Sequence, residues 1–239
     1  MSWLGLDFGS TNLKAALFKN NTLYKKIGKI DFTEPLPDDL KDEFDSVLVS
    51  SSKSEGTTNA LIGGLQLNKK IITVSDILTS EDVCVHDYGE PAFGEDRRLY
   101  FLAMKNMISD NNFGVISFGT VCTLSVWTKD TFYGGNLFPG RTSIYKTLGR
   151  ATSLPEIEPN VEMSFGRGSS CVSSVRSGID MGWIAMIKEL KSLYDSELDN
   201  ITWFVTGGDY NCVANHIKDE CVNEPDLLWK GMEALISKI

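Results

Sequence analysis

Two stretches of this chain carry residue types suited to holding a phosphate. In Trp3–Lys14 (WLGLDFGSTNLK) an apolar run ends in Asp7, small residues Gly9, Ser10 and Thr11 follow, and a second apolar run, Leu13–Phe18, begins at once. That pattern predicts a β-hairpin with a small-residue turn. Gly9 lets backbone N–H groups approach a ligand closely, Ser10 and Thr11 supply hydroxyls, and a carboxylate at the strand end can hold a cation beside the phosphates. Gly114–Trp127 (GVISFGTVCTLSVW) repeats the design with a tight Gly-Thr turn. Such turns also close ordinary hairpins; the repetition predicts two similar halves facing each other across a nucleotide cleft.

A third stretch, Tyr88–Tyr100 (YGEPAFGEDRRLY), reads as a loop from which Glu95 or Asp96 starts a helix reaching about Asp110. Acidic residues at a helix start are commonplace caps. On residue types alone, capping and chemistry both stay open for Asp96, as a surface ion pair and anion binding do for Arg97.

The remaining elements must position these stretches. Strands are expected at Thr22–Ile30, Ser46–Ser51, Lys70–Val74, Thr131–Leu137 and Ile201–Val205, the last running into Thr206, Gly207, Gly208 and Asp209. Helices are expected over Thr57–Leu65, Arg141–Gly149 and Ser170–Leu193, and an amphipathic helix over Pro225–Ile239. Residues 31–46 read as a solvated acidic loop with at most a short helix, and Thr152–Glu162 as an extended loop. Gly178 and Gly182 lie four apart on the long helix, where another backbone could pack closely. The junction at Ser109–Asn112 divides the chain into 1–110 and 111–239.

Composition narrows the class. The 239 residues, 42% hydrophobic and 23% charged, suit a globular protein of one large or two modest domains. A net charge of -9 leaves no basic stripe for nucleic acid, and an anionic substrate must find locally placed cations. The start lacks a basic n-region, and no apolar run is long enough to span a bilayer. Cys84, Cys122, Cys171, Cys212 and Cys221 contain no CxxC pair and read as reduced cytoplasmic thiols. His86 and His216 stand apart and read as structural or solvated.

In order and spacing these motifs resemble the type III pantothenate kinases, within the actin-like/hexokinase/Hsp70 ATPase superfamily. The family's D-x-G-N-T-x-x-K turn matches Asp7, Phe8, Gly9, Ser10, Thr11, Asn12, Leu13 and Lys14. Its Y-x-x-P and G-A-D-R motifs match Tyr88, Pro91, Gly94, Glu95, Asp96 and Arg97. Its second phosphate motif, D-x-G-T-A-x-T-x-D, matches Ser117–Ser125, and its G-R-N-T segment matches Gly166, Arg167, Gly168 and Ser169. The Thr206–Gly208 strand end and the closing Pro-Asp-Leu helix also match.

The resemblance implies an α/β fold of two similar ribonuclease H-like subdomains, each a mixed sheet flanked by helices. It implies ATP-dependent phosphorylation of pantothenate to 4'-phosphopantothenate with Mg²⁺ and a monovalent cation, K⁺ or NH₄⁺, in a homodimer sharing its substrate pocket. By correspondence Asp96 takes the hydroxyl proton, while Arg97 and Arg98 keep it ionised and weakly basic. Tyr88, Gly94, Glu95 and Arg97 line the pantothenate pocket, and Ser169 reaches the partner's substrate. Gly9–Lys14 and Gly119–Thr120 wrap the phosphates, Gly207 and Gly208 sit near the adenosine, and Asp7 and Ser117 serve cations.

Three departures stand out: Ser10 for asparagine, Glu95 for alanine, and Ser117 and Ser125 for both aspartates of the second motif. A hydroxyl coordinates without charge, so monovalent cation affinity drops. Two readings follow, a working kinase with a relaxed cation site and a degenerate homologue kept for binding or regulation. A kinase for a sugar or another acid is a third, disfavoured by the short chain.

Overall fold

A computed structural model describes residues 1–30, 36, 38–85, 89, 93–108, 111–129, 131–217 and 220–239, with the side chains of 29, 30, 38 and 39 left aside. Two units emerge, Met1–Ser109 with Asp226–Ile239, and Asp110–Pro225.

The first unit begins with β1 (Ser2–Phe8), β2 (Leu13–Lys19) and β3 (Thr22–Ile30), an antiparallel meander. A single turn, α1 (Asp38–Lys41), precedes β4 (Ser46–Ser51), which returns parallel to β1; α2 (Glu55–Gly64) then leads to β5 (Lys70–Thr73), parallel to β4. The order is β3-β2-β1-β4-β5. Successive side chains of a strand face opposite sides. Leu4, Leu6 and Phe8 therefore join Leu13, Ala15, Leu17, Val47 and Val49 in one core, and Trp3, Gly5 and Asp7 face the other way. Burial on both faces explains why these strands read as near-continuous apolar runs. Helix α3 (Glu95–Met107) closes this part.

The second unit repeats the plan. Strands β6 (Phe113–Phe118), β7 (Val121–Trp127) and β8 (Phe132–Pro139) form a meander, and α4 (Arg141–Ala151) follows. The long α5 (Cys171–Glu197) starts at Ser170, whose hydroxyl accepts from the Ser173 N–H in a capping box. Then come β9 (Thr202–Thr206), parallel to β6, α6 (Tyr210–Ile217) and the two-residue β10 (Val222–Asn223), parallel to β9. The order β10-β9-β6-β7-β8 is that of the first sheet, strand for strand, read from the other end. The predicted pair of similar α/β halves, each a mixed sheet flanked by helices, is thus observed, with five strands in each sheet and β10 the one strand not expected. Val222–Asn223 is too short to carry a readable alternation.

The closing helix, α7 (Leu227–Ile236), belongs to the first unit rather than to the second half, where the sequence division placed it. Its composition explains why. All its residues except Lys230 and Glu233 are buried, so it is amphipathic as predicted, with a narrow polar stripe, and needs apolar cover on most sides. Gly231 sits against the Leu99 backbone of α3, where a side chain would not fit, and Met232 lies against Gly5 of β1. At the rim, Glu233 accepts from the Leu23 N–H at 3.1 Å and Asp226 pairs with Lys26 at 2.6 Å. Burying Trp229, Leu227 and Leu235 contributes roughly 1.5–3 kcal/mol each.

Candidate functional site

The first hairpin ends in a charged pair. Asp7 lies opposite Lys14 in the register, with Nζ 3.6 Å from Oδ2. The turn is closed by the Gly9 N–H donating to the Asn12 carbonyl at 3.1 Å, and a Cβ on Gly9 would approach that oxygen to 3.2 Å. Ser10 and Thr11 are exposed at the tip. Phe8 and Leu13 are fully buried in the sheet core, so of these two only the backbone faces the turn.

Helix α3 brings two further carboxylates to this hairpin. Gly94 is its N-cap, and a Cβ there would meet Asp96 Oδ1 at 2.7 Å, so glycine makes room for that carboxylate. Asp96 Oδ1 accepts from the Arg97 N–H at 2.9 Å. Burial raises Asp96 above the usual carboxylate range, against the lowering pull of Arg97 and Lys14. The expectation that Arg97 and Arg98 hold it ionised and weakly basic is therefore corrected: desolvation outweighs them. Arg98 instead donates to the carbonyls of Phe93 at 2.9 Å and Leu78 at 2.7 Å. Asp7 is pushed up to about 6, mainly by burial, with Lys14 opposing and Asp96 and Glu95 adding. Three acids and one ammonium thus share one electrostatic neighbourhood.

Glu95 is bound to the scaffold. Its Oε2 accepts from the Ser51 N–H at 2.7 Å and its Oε1 from the Ser75 N–H at 3.1 Å, with the Ser75 hydroxyl adding a short contact. It ties the start of α3 to the ends of β4 and β5. Beside it opens a cleft of about 590 Å³, lined in part by Ser51, Lys53, Thr58, Thr73, Asp76 and Glu95. Arg97 is buried, its guanidinium 3.9 Å above the Phe93 ring. Tyr88 lies outside the described residues.

In the second unit Ser117 takes the place of Asp7. Its register partners are Thr123 on β7 and Thr206 on β9, so three buried hydroxyl residues lie side by side. Ser125 is buried one alternation further along β7. The Gly119–Thr120 turn is braced from α4: the Gly140 N–H donates to the Thr120 carbonyl at 2.9 Å and Ser143 Oγ donates to it at 2.7 Å. Gly207, at φ +102°, presses its backbone onto Phe118, and the Asp209 N–H donates to the Phe118 carbonyl at 3.2 Å. The two glycine turns of this half therefore meet at the end of β6. Space around Gly208 is open.

Ser169 is exposed just before α5, its N–H donating to Ser173 Oγ at 2.9 Å. Behind it lies a network missed by sequence reasoning. Arg141 makes a two-pronged pair with Asp180, at 2.7 and 2.9 Å, and Asp180 also accepts from Tyr145 at 3.0 Å and from the Ser164 N–H at 2.7 Å. Arg141 further donates to the Asn160 carbonyl at 2.7 Å. This cluster moors the loop that ends in Ser169 to α4 and α5. The available signal was Asp180 itself, a carboxylate in the buried phase of α5 between Ser177 and Trp183.

The donor types fit a hard divalent cation at the first hairpin. Asp7 offers a carboxylate, and beside it on β4 the buried Ser50 Oγ has no hydrogen-bond partner among the described residues. Among the described residues no group of three His, Cys, Asp or Glu could hold a metal. A carboxylate with a neighbouring hydroxyl suits Mg²⁺, usually held by one or two carboxylates together with substrate phosphates. The hydroxyl row at Ser117 supplies neutral oxygens, a poorer match to a charged cation.

Comparison with known proteins accords with the geometry. A sequence model described as type III pantothenate kinase matches residues 3–192. A type III pantothenate kinase of Christiangramia forsetii is 28% identical over 98% of this chain and 97% of its own length. Another, of Flavobacterium johnsoniae, is 28% identical over 96% and 95%. Among solved structures, a protein described as a conserved Baf family transcriptional activator from Campylobacter jejuni superposes with a TM-score of 0.60 at 18% identity over 98% of both chains. MreB5 of Spiroplasma citri, bound to AMPPNP, gives 0.52 at 10% identity over 99% and 96%, a likeness of actin-like fold alone. With the family match spanning most of its length, the chain belongs to the type III pantothenate kinases.

Proposed function

We propose that this chain is a working kinase that transfers the γ-phosphoryl group of ATP to the primary hydroxyl of pantothenate, yielding 4'-phosphopantothenate for coenzyme A synthesis. The observation carrying this reading is the gathering of Asp96, Asp7 and Lys14 around the glycine turn of the first unit. Phosphoryl transfer asks mainly for positioning and charge stabilisation. Asp96 accepts the proton of the attacking hydroxyl, and its raised proton affinity makes it a stronger base than an exposed aspartate. Arg97, with its planar fork, binds the pantothenate carboxylate together with Tyr88 and Gly94. Glu95 holds Asp96 in place through Ser51 and Ser75 rather than touching substrate.

Backbone groups of Gly9–Lys14, Gly119–Thr120 and Gly207–Gly208 serve the nucleotide. Asp7 would hold Mg²⁺, which would supply positive charge to the phosphate oxygens. The neutral row at Ser117 makes turnover independent of K⁺ and NH₄⁺. Ser169 contributes to the pocket of a second copy in a homodimer, a state supported by the exposed Gly178 and Gly182 of α5, around which space is open. Five free thiols suit a reducing cytoplasm.

The test is incubation of the purified protein with ATP, Mg²⁺ and pantothenate, with and without K⁺. Phosphopantothenate formed equally in both supports the reading. The loss of both second-motif aspartates favours a second reading, a ligand-binding homologue without turnover. Pantothenate binding without product under any cation would select it.

A further inference from the structure

The segment following β4 braces the Gly9 turn. Ser52 donates twice to the Phe8 carbonyl, from its N–H and its Oγ, each at 3.1 Å. Lys53 Nζ donates to the Ser10 carbonyl at 2.8 Å. One residue earlier, the Ser51 N–H is held by Glu95, the neighbour of Asp96. A continuous line of hydrogen bonds therefore runs from the turn tip through residues 51–53 to the start of α3, inside the first unit.

We infer that Lys53 is a positioning residue for the nucleotide phosphates, fixing the Ser10 carbonyl and adding positive charge at the turn's rim. The inference rests on the proposal that this turn holds the nucleotide. Ser10 is exposed, and Gly9–Asn12 is the bond that closes the turn, so its tip gains order from a brace outside it. In a trans peptide the carbonyl and the following N–H point in opposite directions. Drawing the Ser10 carbonyl toward Lys53 therefore turns the Thr11 N–H the other way and sets its aim.

Charge argues the same way. The chain is strongly acidic overall, and Asp7, Glu95 and Asp96 crowd this end of the sheet. Lys14 is already drawn to Asp7. A polyphosphate arriving here meets three carboxylates, and Lys53 supplies a second ammonium, at the Ser10 carbonyl of the turn. Lys53 is only partly buried and also lines the cleft beside Glu95, so a solute can reach it.

The test compares the full-length protein with Lys53→Met and Lys53→Arg, titrating ATP with Mg²⁺ calorimetrically and measuring kinetics with pantothenate. On the scale of charge-assisted hydrogen bonds, Lys53→Met is expected to weaken ATP binding and raise KM for ATP by about tenfold. Lys53→Arg restores most of the affinity, and kcat and the unfolding midpoint change little. An ATP affinity for Lys53→Met within about twofold of wild type overturns the inference, since even one retained hydrogen bond is worth more than that. Should Lys53→Met not fold, Lys53→Gln, which keeps a donor without the charge, is judged by the same limit. Wild-type protein that binds ATP but forms no phosphopantothenate ends the kinase proposal alone, and the ATP titrations still decide Lys53. Wild-type protein that binds no ATP ends both.

Discussion

The two halves share strand order and direction throughout, yet they place opposite chemistry at the same three-strand crossing. In the first, Ser50, Asp7 and Lys14 lie abreast on β4, β1 and β2. In the second, Thr206, Ser117 and Thr123 occupy the matching places on β9, β6 and β7. One row carries an ion pair and the other only hydroxyls; all these residues are buried except Lys14, whose side chain reaches solvent. A buried carboxylate requires nearby cations or bound metal, whereas a buried hydroxyl requires a single hydrogen bond. The scaffold accommodates either, and charge at the first crossing carries a folding cost.

Four experiments bear on that contrast, in order of expected effect. Asp96→Asn is expected to lower kcat at least a hundredfold, within the ~10²–10⁴ range for a positioned acid or base. An unchanged rate would remove Asp96 from the chemistry and leave it as the helix-start residue that accepts from Arg97.

Arg141→Met tests the second half on its own terms. Removing one partner of a buried pair leaves Asp180 uncompensated, and a loss of about 3–5 kcal/mol is expected in urea unfolding. A loss below about 1 kcal/mol would mean that the pair behaves like an exposed one.

Asp7 joins activity and stability with opposite signs. Its folded pKa, about 6, lies above the ordinary 3.8, so the charged form burdens the folded state. That burden is fully present above pH 6 and is relieved as pH falls from 6 toward 3.8, by about 3 kcal/mol at most. Over the same window protonation removes the charge that pairs with Lys14 and holds cation, so activity falls on acidification. Asp7→Asn should therefore raise the unfolding midpoint at pH 8 while weakening catalysis. A variant that is both less stable and inactive would contradict burial as the cause of the shift.

The smallest change, Ser117→Asp, makes the second row resemble the first. The new carboxylate should lower stability by about 1–3 kcal/mol in K⁺-free buffer, recover part of it in K⁺, and make turnover respond to K⁺. Equal melting temperatures with and without K⁺ would show that a charge there attracts no cation.

Much of this was legible beforehand because local pattern and tertiary role coincide. The apolar runs flanking Gly9 and Gly119 are buried on both faces, and the small residues between them are turns, so composition and position agree. Glu95 was harder. Its departure from alanine is visible in the sequence, but its partners Ser51 and Ser75 come from distant strand ends. The proton affinity of Asp96 was misjudged because adjacency to two arginines says nothing of where their guanidinium groups point. Arg98 turns to the carbonyls of Phe93 and Leu78, and burial decides the rest. Arg141 and Asp180 sit thirty-nine positions apart, and no local period joins them.

The placement of α7 makes the first unit discontinuous along the chain. The half built on Asp110–Pro225 is an uninterrupted segment. The half holding Asp7 and Asp96 is complete only once Asp226–Ile239 joins it, because without α7 the backbone groove over Leu99 stays uncovered. A nascent chain cut short before Asp226 would thus carry every proposed catalytic side chain yet lack the helix that seats them.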